Sequence, residues 1–157
     1  MLDFDYREIV KFDSRNISYN FEDIDPLTRQ LFINEFNHIE NNSIVDFQYE
    51  PNNTDPDILI SPGDDAINNI AYARAAGDIW VSSFFYSQPD YYQRYVVAHE
   101  IGHTLSLGHN LTVDGVVRSD STLFTGTPEQ QFTIDNLAET MTPFDLSMVN
   151  IVFHDVE

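Results

Sequence analysis

The chain has no cysteine. Disulfides and thiolate ligands are therefore excluded, and any metal must be held by nitrogen and oxygen. Lysine is almost absent: Lys11 stands alone, and seven basic residues face 26 acidic ones for a formal charge of −19. Nucleic acids and anionic membranes are thereby poor partners, because binding phosphate needs clustered Lys and Arg. No apolar run approaches the roughly 18 residues that a membrane-spanning helix requires. The opening Met1-Leu2-Asp3-Phe4-Asp5 lacks a basic region followed by an apolar core, so no secretory signal is legible. What remains is ordinary for a globular chain. Its 157 residues are 42% hydrophobic and 13% aromatic, which predicts one domain over 1–157 with a sizeable core. The surplus carboxylates suit calcium binding, solubility in salt or colloidal stability, a solvated acidic surface being the plain reading. Asp64-Asp65 after Gly63 is the nearest approach to a calcium loop, without the alternating Asp/Asn pattern of an EF-hand.

Residues 15–22 alternate apolar and polar as a half-buried strand does. Asp25-Pro26 signals a helix start, and Leu27, Leu31, Phe32, Phe36 and Ile39 follow at helical spacing until Asn41-Asn42-Ser43. Val45 to Tyr49, Asp57 to Ile60, Ile70 to Ala76 and Asp78 to Phe85 read as four more strands. Ser87-Gln88-Pro89-Asp90 reads as a second helix start, with Ser87 as cap and the helix running over about 89–105. On it Val97, Ile101 and Leu105 form an apolar stripe. Residues 110–135 are polar and irregular, and Phe144, Met148, Ile151 and Val152 give a short closing helix after Pro143. This order predicts an α+β domain, a twisted sheet backing two long helices.

Within the second helix lies the most informative stretch, His99-Glu100-Ile101-Gly102-His103-Thr104-Leu105-Ser106-Leu107-Gly108-His109. His99 and His103 are four apart, so their rings leave one helix face a turn apart. Glu100 lies beside that face, within reach of a water on a shared metal ion. Gly108 gives the chain a place to turn back before His109. Two helical histidines enclosing a glutamate are a zinc-hydrolase pattern, in which the imidazoles bind the ion and the glutamate serves as base. His38 and His154 carry no such pattern and are read as surface or cap residues.

With its third histidine the segment resembles the metzincin metallopeptidases, above all the serralysin and matrixin branches. Gly77-Asp78-Ile79-Trp80-Val81 resembles the run that leads into their active helix. Glu139-Thr140-Met141-Thr142-Pro143 resembles their methionine turn, about 139–143. The resemblance implies a metzincin-like fold: a mostly parallel twisted sheet, two long helices, a zinc cleft, a Met-turn and a short C-terminal helix. It implies one catalytic Zn2+ on His99, His103 and His109, Glu100 as general base, and Met141 as a packed floor rather than a ligand. It implies endopeptidase action on protein or peptide substrates by a monomeric, secreted protein, although no signal peptide is visible. A substrate would lie along an edge strand at Ile70–Ala76, with Ile70, Tyr72 and Arg74 at the rim and Thr142, Pro143 and Phe144 walling the pocket beyond the scissile bond. Pro143 occupies the place of the serralysin tyrosine, so no tyrosine ligand is expected. Residues 57–86 hold no histidine, so no second zinc is expected. Ser106 replaces the family's usual glycine, and the turn is expected to shift its strain to Gly108. The alternative is a degenerate metzincin, a non-proteolytic zinc-binding or interaction module.

Overall fold

The computed structural model describes residues 10–64, 70–107 and 139–157. Five strands form one sheet: β1 (Asn16–Phe21), β2 (Asp46–Tyr49), β3 (Ile58–Pro62), β4 (Ala71–Ala73) and β5 (Ile79–Val81). Their order is β2-β1-β3-β5-β4, and every pairing is parallel except β4 with β5. Three helices accompany them: α1 (Pro26–Asn42), α2 (Asp90–Thr104) and α3 (Pro143–Val152). The α+β, mostly parallel architecture expected from the sequence is the one observed.

Period-two alternation assigns the two faces of the sheet. Ile17, Tyr19, Ile58, Ile60, Ile79, Val81 and Ala71 are buried on the face covered by helices. Tyr19 stacks on Phe36 of α1 with ring centroids 4.2 Å apart, and Phe36 meets Phe47 of β2 at 4.6 Å. The Asp25 carboxylate accepts from the Thr28 N–H, so α1 begins where the Asp-Pro pair predicts, with Ser43 at its other end. Leu27 departs from the expected apolar stripe: it is 82% exposed, because the inward positions of the first turns fall to Ile24, Thr28 and Phe32.

Three further expectations are corrected. The strand expected over Ile70–Ala76 is paired only over Ala71–Ala73, and Ala76 takes a left-handed φ of 50° while its N–H donates to the Thr104 carbonyl. The strand expected to reach Phe85 ends at Val81, although Ser82 still gives its N–H and hydroxyl to the Ile70 carbonyl, in register with the Ala71–Val81 pair. A 310 turn over Ser83–Ser87 follows. Ser87 is therefore not the cap of α2; its hydroxyl donates to Phe84, and the helix starts after Pro89 with Asp90 in its first turn. In α3 the inward residues are Leu146, Val149 and Val152, while Ile151 is 39% exposed. Thr142 and Asp145 cap that helix reciprocally, each side chain bonding the other's backbone N–H.

Candidate metal centre

Helix α2 is held down by Val97, Ile101 and Leu105, each 1% exposed or less. On another face of the helix, two residues on from Val97 and Ile101, His99 and His103 meet. Their ring centroids are 4.7 Å apart at 84°, and their Nε2 atoms are 3.1 Å apart. Tyr95, a turn earlier, packs on the His99 ring with centroids 5.6 Å apart.

The tautomer of His103 follows from its surroundings. Its Nδ1 lies 3.0 Å from the Leu107 carbonyl, which can only accept. Nδ1 therefore carries a proton, and Nε2 is the nitrogen that faces His99. A carbonyl on the far nitrogen is the arrangement that orients metal-bound histidines. Two imidazole nitrogens about 2.0–2.1 Å from one tetrahedral zinc ion stand roughly 3.3 Å apart. The observed 3.1 Å is close to that span. The donor set fits zinc; among the described residues no third His, Cys, Asp or Glu joins the pair. His109 and Gly108 lie outside the described residues.

The Leu107 carbonyl reaches His103 because of how α2 ends. Leu107 donates to Gly102 and Ser106 to His103, both at 3.0 Å, which together make a Schellman turn. That turn needs a left-handed residue at its corner, and Ser106 supplies it with φ 71°. The expected shift of the turn does not occur; the serine itself adopts the glycine conformation, and its hydroxyl donates to the Val10 carbonyl.

Glu100 follows His99 and is 7% exposed. The described residues offer its Oε2 no hydrogen-bond partner. Burial alone pushes its carboxyl up to about 7, near the pH at which a base must accept and release a proton.

The remaining site residues are dispersed. β4 is an edge strand, as expected, and Ile70 is half-buried before it, its carbonyl taken by Ser82. Tyr72 and Arg74 lie with Trp80 on the sheet face opposite to Ile79 and Val81. Tyr72 stacks on Trp80 at 5.0 Å, and the Arg74 guanidinium sits 5.5 Å from that ring. Met141 is buried in the same apolar cluster as Val97 and Ile101. Thr142 caps α3, Pro143 opens it, and Phe144 contributes its backbone to the helix.

Two residues read as unremarkable from sequence, or passed over, prove to be tied to the Met-turn. His38 Nε2 lies 2.9 Å from the Met141 carbonyl, while Glu35 takes the Met141 N–H at 2.8 Å and the Thr140 hydroxyl at 2.6 Å. The available signal was a carboxylate at Glu35, inside the buried row Phe32, Phe36 and Ile39. His154, read as a cap, does bond the Ile151 carbonyl at the end of α3.

Comparison with known proteins bears on the whole arrangement. The family model described as Astacin, a peptidase family, matches residues 5–120, about three quarters of the chain. Solved structures share the fold at low identity. One structure of myroilysin is 13% identical with a TM-score of 0.62, covering 94% of this chain and 87% of that one. In another myroilysin structure the match is 19% identical with a TM-score of 0.56, over 68% of this chain and only 47% of that chain. Archaemetzincin from Methanopyrus kandleri is 11% identical with a TM-score of 0.56, over 89% and 97% of the two chains. No curated protein matches by sequence.

Proposed function

The chain belongs to the astacin family of peptidases, and from that premise we propose that it is a zinc-dependent endopeptidase. The family is a metzincin one, so the wider resemblance holds; the family match supports no placement in the serralysin or matrixin branch. The observation that carries the reading is the buried Glu100 oxygen, unbonded among the described residues, on the same helix as two imidazole nitrogens 3.1 Å apart. A purely structural metal site has no use for such a base.

In this reading His99, His103 and His109 hold one zinc ion. Bound there, zinc supplies a Lewis acid that acidifies a water and polarises a carbonyl. His99 and His103 act as neutral ligands, His103 oriented by the Leu107 carbonyl. Glu100 takes the proton from the attacking water and delivers it to the leaving amine nitrogen. An extended substrate adds to the open side of β4, near Ile70, Tyr72 and Arg74, by strand pairing. Thr142, Pro143 and Phe144 wall the pocket beyond the scissile bond. Secretion and monomeric action complete the proposal and rest on the family alone. The degenerate, non-proteolytic alternative drew in part on Ser106, which here closes a regular helix-ending turn.

Metal analysis with a quenched-peptide assay, with and without chelator, tests this. Wild type should hold one zinc and lose activity to the chelator. Glu100→Ala should keep zinc and lose at least about 100-fold in turnover, the scale of general-base catalysis. His103→Ala should lose both. Full activity in Glu100→Ala, or retained metal in His103→Ala, overturns the mechanism.

A further inference from the structure

The Met141 backbone is gripped by a helix distant in sequence. Glu35 and His38 lie three residues apart on α1. The Glu35 carboxylate accepts the Met141 N–H and the Thr140 hydroxyl, and it is only 6% exposed. The Met141 carbonyl can only accept, so His38 donates to it from Nε2 at 2.9 Å. Both polar backbone groups of Met141 are thus held by one helix. The neighbouring positions are fixed too: Arg94 of α2 pairs with Glu139, and Thr142 caps α3. Glu35, His38, Arg94, Val97 and Thr140 line one cavity of about 200 Å3, and Val97 is two residues before His99.

A carboxylate is a costly way to fill this place. Burial raises the Glu35 carboxyl above its ordinary value, against the hydrogen bonds from Thr140 and Met141 and the pull of His38. An apolar side chain would pack here without that penalty but could not hold a backbone N–H. Resting on the zinc reading above, we propose that Glu35 and His38 are positioning residues of the metal centre. They clamp the Met141 peptide groups and so fix the Met-turn against α1 and α2, which keeps the His99–His103 pair in ligand geometry.

The test uses the full chain loaded with zinc or cobalt(II), as wild type, Glu35→Ala, Glu35→Gln and His38→Ala. Ile17→Val, in the sheet core, serves as a control that loses stability away from the clamp. Glu35→Ala and His38→Ala should bind zinc about 10-fold more weakly, the usual scale for a residue behind a ligand. They should also shift the cobalt visible absorption and lower kcat with KM little changed. Glu35→Gln should restore all three, since its amide oxygen still accepts the Met141 N–H. Ile17→Val should lower Tm and leave all three alone. Wild-type zinc affinity and cobalt spectrum in Glu35→Ala and His38→Ala would overturn the clamp. If Glu35→Ala does not fold, His38→Ala, at a half-buried position, makes the same comparison. A wild type that binds no zinc, or a His103→Ala that binds it as tightly, overturns the zinc reading and the clamp together.

Discussion

Ser106 shows how one residue joins backbone geometry to metal chemistry. A left-handed φ of 71° places a serine Cβ near the following carbonyl, a strain of about 1 kcal/mol or more. The hydroxyl offsets part of this by bonding the Val10 carbonyl. In return the turn closes with Leu107 donating to Gly102, and the Leu107 carbonyl meets His103 Nδ1. Separating strain from hydrogen bond needs two variants. Ser106→Ala keeps the strain and loses the bond; Ser106→Gly loses both. In denaturant unfolding of the metal-free chain, Ser106→Ala should fall below wild type. Ser106→Gly should exceed Ser106→Ala by about 1 kcal/mol. Equal stability of the two would show that the corner is not strained. The conformation of this residue could be read in advance only halfway: sequence shows that a glycine position holds serine. It does not show whether the turn or the serine yields, because that depends on where residue 10 lies.

At the scale of elements, legibility followed locality. The start of α1 was readable because Asp25 and Pro26 act on their own neighbours, and the α2 stripe of Val97, Ile101 and Leu105 was readable from period alone. The start of α2 was misplaced because Ser87 has an equally local alternative, the Phe84 carbonyl of the 310 turn, where Gln93 also bonds Phe85. β5 was overextended because the chain turns at once into the 310 segment, where the Phe85 N–H returns to the Ser82 carbonyl. Glu35 and His38 were missed because their partners lie more than 100 residues on. The grip of α1 on the Met-turn has a thermodynamic sign that can be measured. Glu35 has a folded-state carboxyl raised chiefly by burial, so the folded chain binds its proton more tightly than the unfolded chain. Its contribution is fullest below the ordinary carboxylate pKa of 4.5 and is lost as pH rises through the raised value. Relative to wild type, Glu35→Gln should therefore lose less stability as pH climbs from about 4 upward. Parallel pH–stability curves for the two proteins would show that Glu35 titrates alike in both states.

At the scale of the whole molecule the charge is the governing fact. Seven basic residues cannot balance 26 acidic ones, and among the described residues Lys11 and Arg15 are committed to backbone carbonyls. Lys11 bonds the Val152 carbonyl at 2.9 Å besides pairing with Asp155, and Arg15 bonds the carbonyls of Phe153 and His154 at 3.0 and 2.9 Å. Cations at the carbonyl end of α3 complement its dipole and tie the first described segment to the last. Arg15 offers its N–H to the Glu157 carbonyl in the same seam. The bonds to the Val152 and Phe153 carbonyls are short-ranged and partly buried, so salt weakens them little. The unbalanced carboxylates elsewhere repel one another across the surface, and a Debye length of about 10 Å at 0.1 M salt screens that repulsion. Repulsion therefore outweighs attraction in the salt response. The Tm of the metal-free chain should rise as sodium chloride goes from about 0.01 to 0.5 M, where exposed ion pairs and long-range repulsion are both screened. Arg15→Ala should lower Tm at every salt concentration and leave the slope unchanged. A Tm that falls with added salt would mean that attractive pairs such as Lys11–Asp155 and Arg94–Glu139 dominate the electrostatics of the fold.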